Sequence, residues 1–114
     1  MTEQPHEAPR DPLYALSDSL SPNQRRHLRA LAHQLKPVVW VGQRGVVEGV
    51  IDNVEAALVA HELVKIKILD AEMIIEAAEQ LCSATGATLV QRIGKMLVFF
   101  RRNEEQPKVE LPSE

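Results

Sequence analysis

Cysteine is nearly absent. Cys82 stands alone, so no intrachain disulfide can form and nothing points to an oxidising compartment. Long apolar runs are missing as well. No segment is long enough to span a bilayer, and the polar start, residues 1–11, holds no apolar stretch of signal-peptide length. A cytoplasmic protein without membrane contact is expected. The fingerprints of nucleotide enzymes are lacking too. Gly42, Gly45 and Gly49 are spaced G-x-x-G-x-x-x-G rather than G-x-G-x-x-G, and there is no G-x-x-x-x-G-K-[ST]. Asp70 stands about where a dinucleotide fold places its ribose acid, but the chain is too short for the full sheet. The four histidines, His6, His27, His33 and His61, have no metal spacing, since six residues put His27 and His33 on different sides of a helix. No metal, cofactor or catalysis is expected.

The net charge of −3 hides an asymmetry. Residues 1–20 carry Arg10 against Glu3, Glu7, Asp11 and Asp18, a balance of −3. Residues 103–114 carry Lys108 against Glu104, Glu105, Glu110 and Glu114, again −3. The segment between holds 11 basic and 8 acidic residues, +3. Three parts follow: a disordered acidic arm over residues 1–19, a folded basic domain over 20–102, and a loose acidic tail over 103–114. A domain of about 80 residues can bury a modest core. The arm holds a short apolar patch, Leu13, Tyr14 and Leu16, that could dock locally.

Ser21-Pro22-Asn23-Gln24 is a helix start: Ser21 caps, Pro22 takes the first position and Gln24 closes a capping box. The helix is expected to reach Gln34, because Pro37 disfavours helix at Lys36. At about 100° per residue, Leu28, Leu31, Ala32 and Leu35 share one face, and Arg25, Arg26, Arg29, His33 and Lys36 form a flank beside it. Val38-Val39-Trp40-Val41 reads as a buried strand, with Trp40 in the core, although an aromatic at a strand end beside the following loop could instead stack on a base. Residues 46–61 read as a helix whose outer side carries Glu48, Glu55 and Glu62. Residues 63–69 alternate, with Val64, Ile66 and Ile68 on one face and Lys65 and Lys67 on the other. Asp70 caps a third helix, 71–84, which Gly86 stops, and its apolar face holds Cys82 as a core thiol. Strands over 88–93 and 96–101 flank a tight turn at Gly94-Lys95. The order α-β-α-β-α-β-β predicts an α+β two-layer sandwich on a mixed four-stranded sheet, since strands joined through helices run parallel and the hairpin adds an antiparallel neighbour.

The loop Gly42-Gln43-Arg44-Gly45 joins a strand to a helix N-terminus, where backbone N–H groups and the helix dipole favour an anion. Its glycines let a phosphate backbone come close, and Arg44 adds a fork of donors at the tip. KH domains clamp nucleotides with a GXXG loop by the same logic. The first helix adds a basic stripe, which Lys65, Lys67, Arg101 and Arg102 could extend.

The stretch Leu35-Lys36-Pro37-Val38-Val39-Trp40-Val41-Gly42-Gln43-Arg44-Gly45-Val46-Val47-Glu48-Gly49-Val50 resembles the signature of the CRM (chloroplast RNA splicing and ribosome maturation) domain, whose stand-alone bacterial form is the YhbY family. Residues 20–35 resemble that family's opening helix, 61–67 its second strand, Ile93-Gly94-Lys95 its hairpin and 108–112 its C-terminal end. The resemblance implies a fold like the C-terminal domain of translation initiation factor 3. It implies association with precursors of the large ribosomal subunit, and RNA binding through Gly42, Gln43, Arg44 and Gly45 with help from Arg25, Arg26, Arg29 and Lys36. This chain departs from the pattern in a shorter connection at Asp70-Ala71 and a longer acidic arm.

The leading expectation is a monomeric, non-catalytic protein bound to precursor ribosomal RNA, with ribosomal proteins as further partners. The rival is a protein-interaction module that meets basic ribosomal proteins through Glu48, Glu55 and Glu62. A small nucleotide-binding enzyme is a distant third.

Overall fold

A computed structural model describes Leu16 and residues 20–114. The arm expected over residues 1–19 lies outside the described residues, apart from Leu16, which packs against the larger core. Ser21 starts helix α1 (Pro22–Ala32) as its sequence requires. Its Oγ accepts the Gln24 N–H at 3.0 Å, and Gln24 Oε1 accepts the Ser21 N–H at 3.1 Å. The helix ends two residues before Gln34, which leaves Lys36 outside it. Strand β1 (Val39–Val41), helix α2 (Glu48–His61) and strand β2 (Leu63–Ile68) follow. A 3₁₀ turn, Ala71–Met73, is capped by the Asp70 carboxylate, which accepts the Glu72 N–H at 3.0 Å. Helix α3 (Ile74–Thr85) ends at Gly86, whose φ of 74° closes it in the left-handed region. Strands β3 (Thr88–Ile93) and β4 (Met96–Phe100) flank the Gly94-Lys95 turn.

The α+β class and the mixed four-stranded sheet are as expected. Strand order is β1-β2-β4-β3, with β1 and β2 parallel and the other pairs antiparallel. β3 thus runs in the same direction as β2 without touching it, because β4 inserts between them. A register shift between Leu89 and Gln91 leaves Val90 as an extra residue in β3.

The helices divide between the two faces of the sheet. Val64, Ile66 and Ile68 of β2, with Leu97 and Phe99 of β4, meet Val54, Leu58, Ala78 and Leu81 of α2 and α3. Leu63, Val98 and Phe100 point the other way and meet Leu28 and Ala32 of α1. The two expected layers are the sheet and the α2–α3 pair, and α1 adds a partial layer on the far side. For this reason β2 is buried on both faces and Lys65 is only 8 % exposed, where alternation alone predicted a solvated lysine. Leu31 and Leu35 fall outside the α1 contact and stay exposed.

Candidate nucleic-acid interface

The loop that follows β1 is a tight turn. The Gly45 N–H donates to the Gly42 carbonyl at 3.0 Å, and Gly45 holds φ at 78°. The Val47 N–H then donates to the Gly45 carbonyl at 3.0 Å. α2 begins at Glu48 rather than Val46, so two residues separate the turn from the helix, and Val47 offers no side-chain cap. Gln43 and Arg44 are exposed at the tip. Among the described residues, Arg44 has no ion-pair partner. It rims a cleft of about 140 Å³ shared with Gly45, Met73, Glu76 and Gln80. A phosphate deep in that cleft would meet the Glu76 carboxylate. An anion is better placed at the rim, on Arg44 and the loop amides.

The sheet separates charge. All eight acidic residues of 21–102 lie on α2, on α3 or at Glu62, Asp70 and Glu72, and none stands on a strand or on α1. The α1 side carries Arg25, Arg26, Arg29, Lys36, Lys65 and Lys67. At 100° per residue, the three arginines fall on the flank of α1 away from His27 and Leu31. His27 and Leu31 instead look toward β1, where they line a groove of about 640 Å³ with Val38, His61, Lys65 and Lys108. The predicted site residues therefore fall in three places: Arg25, Arg26 and Arg29 on the far flank of α1, Lys36 in the groove wall, and the Gly42–Gly45 turn at the end of β1, where Arg44 neighbours Met73 and Glu76 beside α3. Arg26 is also tied locally, donating to the Asn23 side chain at 3.1 Å.

The CRS1/YhbY (CRM) domain model matches residues 20–101, which contain this face, the loop and both cores. The chain belongs to the CRM-domain family. It is 42 % identical over 99 residues to a Haemophilus influenzae protein named as RNA-binding, covering 82 % of this chain and 96 % of that one. It is 38 % identical over 92 residues to a probable RNA-binding protein of Pseudomonas aeruginosa, covering 79 % of this chain and 88 % of the other. The solution structure of a hypothetical protein from Staphylococcus aureus superposes with a TM-score of 0.71 at 38 % identity, covering 82 % of this chain and 99 % of that one.

Several sequence expectations for this CRM domain are corrected by its tertiary contacts. Trp40 is not in the core: β1 is an edge strand and leaves it 55 % exposed. Arg101 and Arg102 do not extend the basic surface. Arg101 Nη1 reaches Glu55 Oε1 and the Thr85 carbonyl, each at 2.8 Å, and Arg102 is held by Glu62. Glu62 does not line an exposed acidic stripe, because it caps α2 with φ at 65° and is fully buried. Nor is 103–114 loose. The Asn103, Lys108 and Val109 N–H groups donate to the Glu62 carboxylate at 2.6, 2.7 and 2.8 Å. Val109 and Leu111 pack beside Phe100, and Gln24 donates to the Pro112 carbonyl at 2.8 Å. The segment is acidic as expected but not loose, because its acids point outward while its backbone satisfies a carboxylate 41 to 47 residues away in sequence.

Cys82 is half-buried in the α3 face, and burial pushes its thiol up to about 11, against a smaller opposing effect of the Leu89 backbone. Among the described residues no three His, Cys, Asp or Glu side chains converge to hold a metal, and no helix is long and apolar enough to cross a membrane.

Proposed function

We propose that this CRM domain is a non-catalytic RNA-binding protein of the cytoplasm that joins the RNA of precursor large ribosomal subunits. The observation that carries the reading is the separation of charge across the sheet. A polyanion laid on Lys36 and the α1 side faces away from the carboxylates of α2 and α3, and it meets Arg44 at the outer rim of the cleft that holds Glu76. The names of the Haemophilus and Pseudomonas relatives support RNA as the partner. The turn Gly42-Gln43-Arg44-Gly45 holds phosphates at its rim, and Arg25, Arg26, Arg29 and Lys36 follow the backbone. Such contacts position the RNA, and recognition rests on its shape or on unpaired bases. The rival reading, docking of basic ribosomal proteins on Glu48, Glu55 and Glu62, loses force because Glu62 is buried and Glu55 is paired with Arg101.

The test is binding to large-subunit ribosomal RNA over a series of salt concentrations, wild type beside Arg44→Glu. Several released counterions, at a slope of about −0.7 each on single strands, together with a large loss in Arg44→Glu, support the proposal. Equal binding by the two proteins removes the loop from it. No binding by either, with both still co-sedimenting with immature large subunits, transfers the lead to protein contacts.

A further inference from the structure

Trp40 is the one tryptophan of the chain. Its neighbours Val39 and Val41 enter the core under α2 and α3, so the pleat sends Trp40 to the α1 face. α1 does not reach it. The helix covers Leu63, Val98 and Phe100, and the next row of side chains stays open. Register defines that row: Trp40 pairs with Lys67, Lys67 with Met96, and Met96 with Ile93. Directly opposed residues share a face, so the four side chains cross all four strands over about 14 Å. Ile93 is 43 % exposed at the far end, and Lys67 and Met96 are half-buried between. Gly42 lies two residues beyond Trp40, so the row adjoins the phosphate-holding turn. On its other side, Val38 and Lys65 begin the groove under His27 and Leu31.

We infer that Trp40 is a stacking platform for an unpaired RNA base, and that this makes single-stranded RNA the preferred target of the face. The inference rests on the RNA-binding reading above and adds the kind of RNA. A base lies flat on the indole, Lys67 meets the adjoining sugar-phosphate, and Arg44 holds the next phosphate at the turn. A duplex keeps its base faces covered by their neighbours and offers nothing to the indole. A protein partner is the competing occupant of an exposed tryptophan. Lysine is depleted from protein interfaces, whereas Lys36, Lys65, Lys67 and Lys108 gather here against a single acid in the groove wall, Glu110, with none on the strands or α1. That balance favours a polyanion.

The lone tryptophan reports on its own site. The full chain is titrated at low salt with a short single-stranded oligoadenylate and with the adenylate–uridylate duplex of equal length, and tryptophan emission is followed. Binding of wild type, Trp40→Phe and Trp40→Ala to both probes is measured in parallel, with thermal unfolding as a check on the fold. The single strand is expected to quench the emission more than the duplex does. Trp40→Ala is expected to bind the single strand roughly ten-fold more weakly, with the duplex unaffected, and Trp40→Phe to retain most of the affinity. The salt slope stays the same in Trp40→Ala, because no phosphate contact is removed. If RNA binds without quenching, or Trp40→Ala binds the single strand as wild type does, the platform is wrong while RNA binding survives. If neither probe nor ribosomal RNA binds wild type, the RNA-binding reading falls and takes the platform with it.

Discussion

Arg102 Nη1 donates to both carboxylate oxygens of Glu62, at 3.0 and 3.1 Å, and the carboxylate it holds is fully buried. The same nitrogen donates to the Val109 carbonyl at 2.8 Å, while the guanidinium lies 5.6 Å from the centre of the Phe100 ring. One carboxylate at the end of α2 thus ties the exit of β4 to the C-terminal segment. That segment supplies Lys108, Val109 and Glu110 to the wall of the groove beside α1. The clasp is structural, but the surface it shapes belongs to the proposed interface.

Replacing Glu62 with alanine leaves the Arg102 guanidinium and three backbone N–H groups without their acceptor. A loss of about 3 kcal/mol is expected, in the range for breaking a buried pair from one side. Urea unfolding gives the magnitude. Faster amide exchange at Lys108 and Val109 tests the cause. An unchanged exchange rate there would mean that packing of Val109 and Leu111 holds the segment without the carboxylate.

Glu62 also sets an acid limit on stability. Burial alone would raise its carboxyl, but the Asn103, Lys108 and Val109 N–H groups and Arg102 together hold it below its ordinary value of 4.5. The hydrogen bond from Arg101 likewise lowers Glu55. A carboxylate lowered in the folded state binds protons more readily when unfolded. Its contribution is therefore complete at neutral pH and is lost as pH falls below about 4.5 and through the lowered folded value. The urea midpoint of wild type should drop across that acidic window, and Glu62→Gln should show a flatter profile from a lower start.

The two glycines of the turn separate stability from binding. A Cβ on Gly45 would sit 3.0 Å from the Met73 Cε, at a φ of 78°. Gly45→Ala should cost about 1–2 kcal/mol from the left-handed backbone alone. A Cβ on Gly42 meets nothing within 4 Å, so Gly42→Ala should change stability by less than about 0.5 kcal/mol. Weaker RNA binding by Gly42→Ala at wild-type stability is the expected result. Unchanged affinity would show that the phosphate does not approach the backbone there.

α1 is held to the sheet through few contacts, chiefly Leu28 and Ala32. Leu28→Ala should cost about 2–5 kcal/mol, as for other fully buried leucines. Because α1 carries Arg25, Arg26 and Arg29, the same change should lower RNA affinity before the protein unfolds. Circular dichroism under urea beside RNA titration checks the order.

Cys82, with its thiol pushed up to about 11, should alkylate slowly in the native protein at mildly alkaline pH. It should react readily once urea exposes it. Equal rates in the two states would place the thiol at the surface.

Much of the domain was legible residue by residue where a local rule governs. Ser21 and Gln24 cap each other across one helical turn, Gly86 ends α3 because only glycine takes that backbone without strain, and Gly94-Lys95 turns the hairpin in two residues. The alternation of Val64, Ile66 and Ile68 named the face of β2 that meets the larger core. The turn from Gly42 to Gly45 was visible for the same reason: its two glycines and the exposed Arg44 lie within four residues. Everything that depended on distant partners was not. No local signal says that β4 enters between β2 and β3, or that α1 crosses to the other face. That crossing buries Lys65 and leaves α1 without cover for Trp40. Glu62 read as one carboxylate of a solvated stripe because its acceptor role depends on Arg102, Asn103 and Val109, about 40 residues away in sequence. The sequence determined the elements, their turns and the sign of the charge on each, because those follow from neighbours three or four residues apart. The tertiary structure decided which charges remain available to a partner, because burial and pairing depend on residues that only the folded chain brings together.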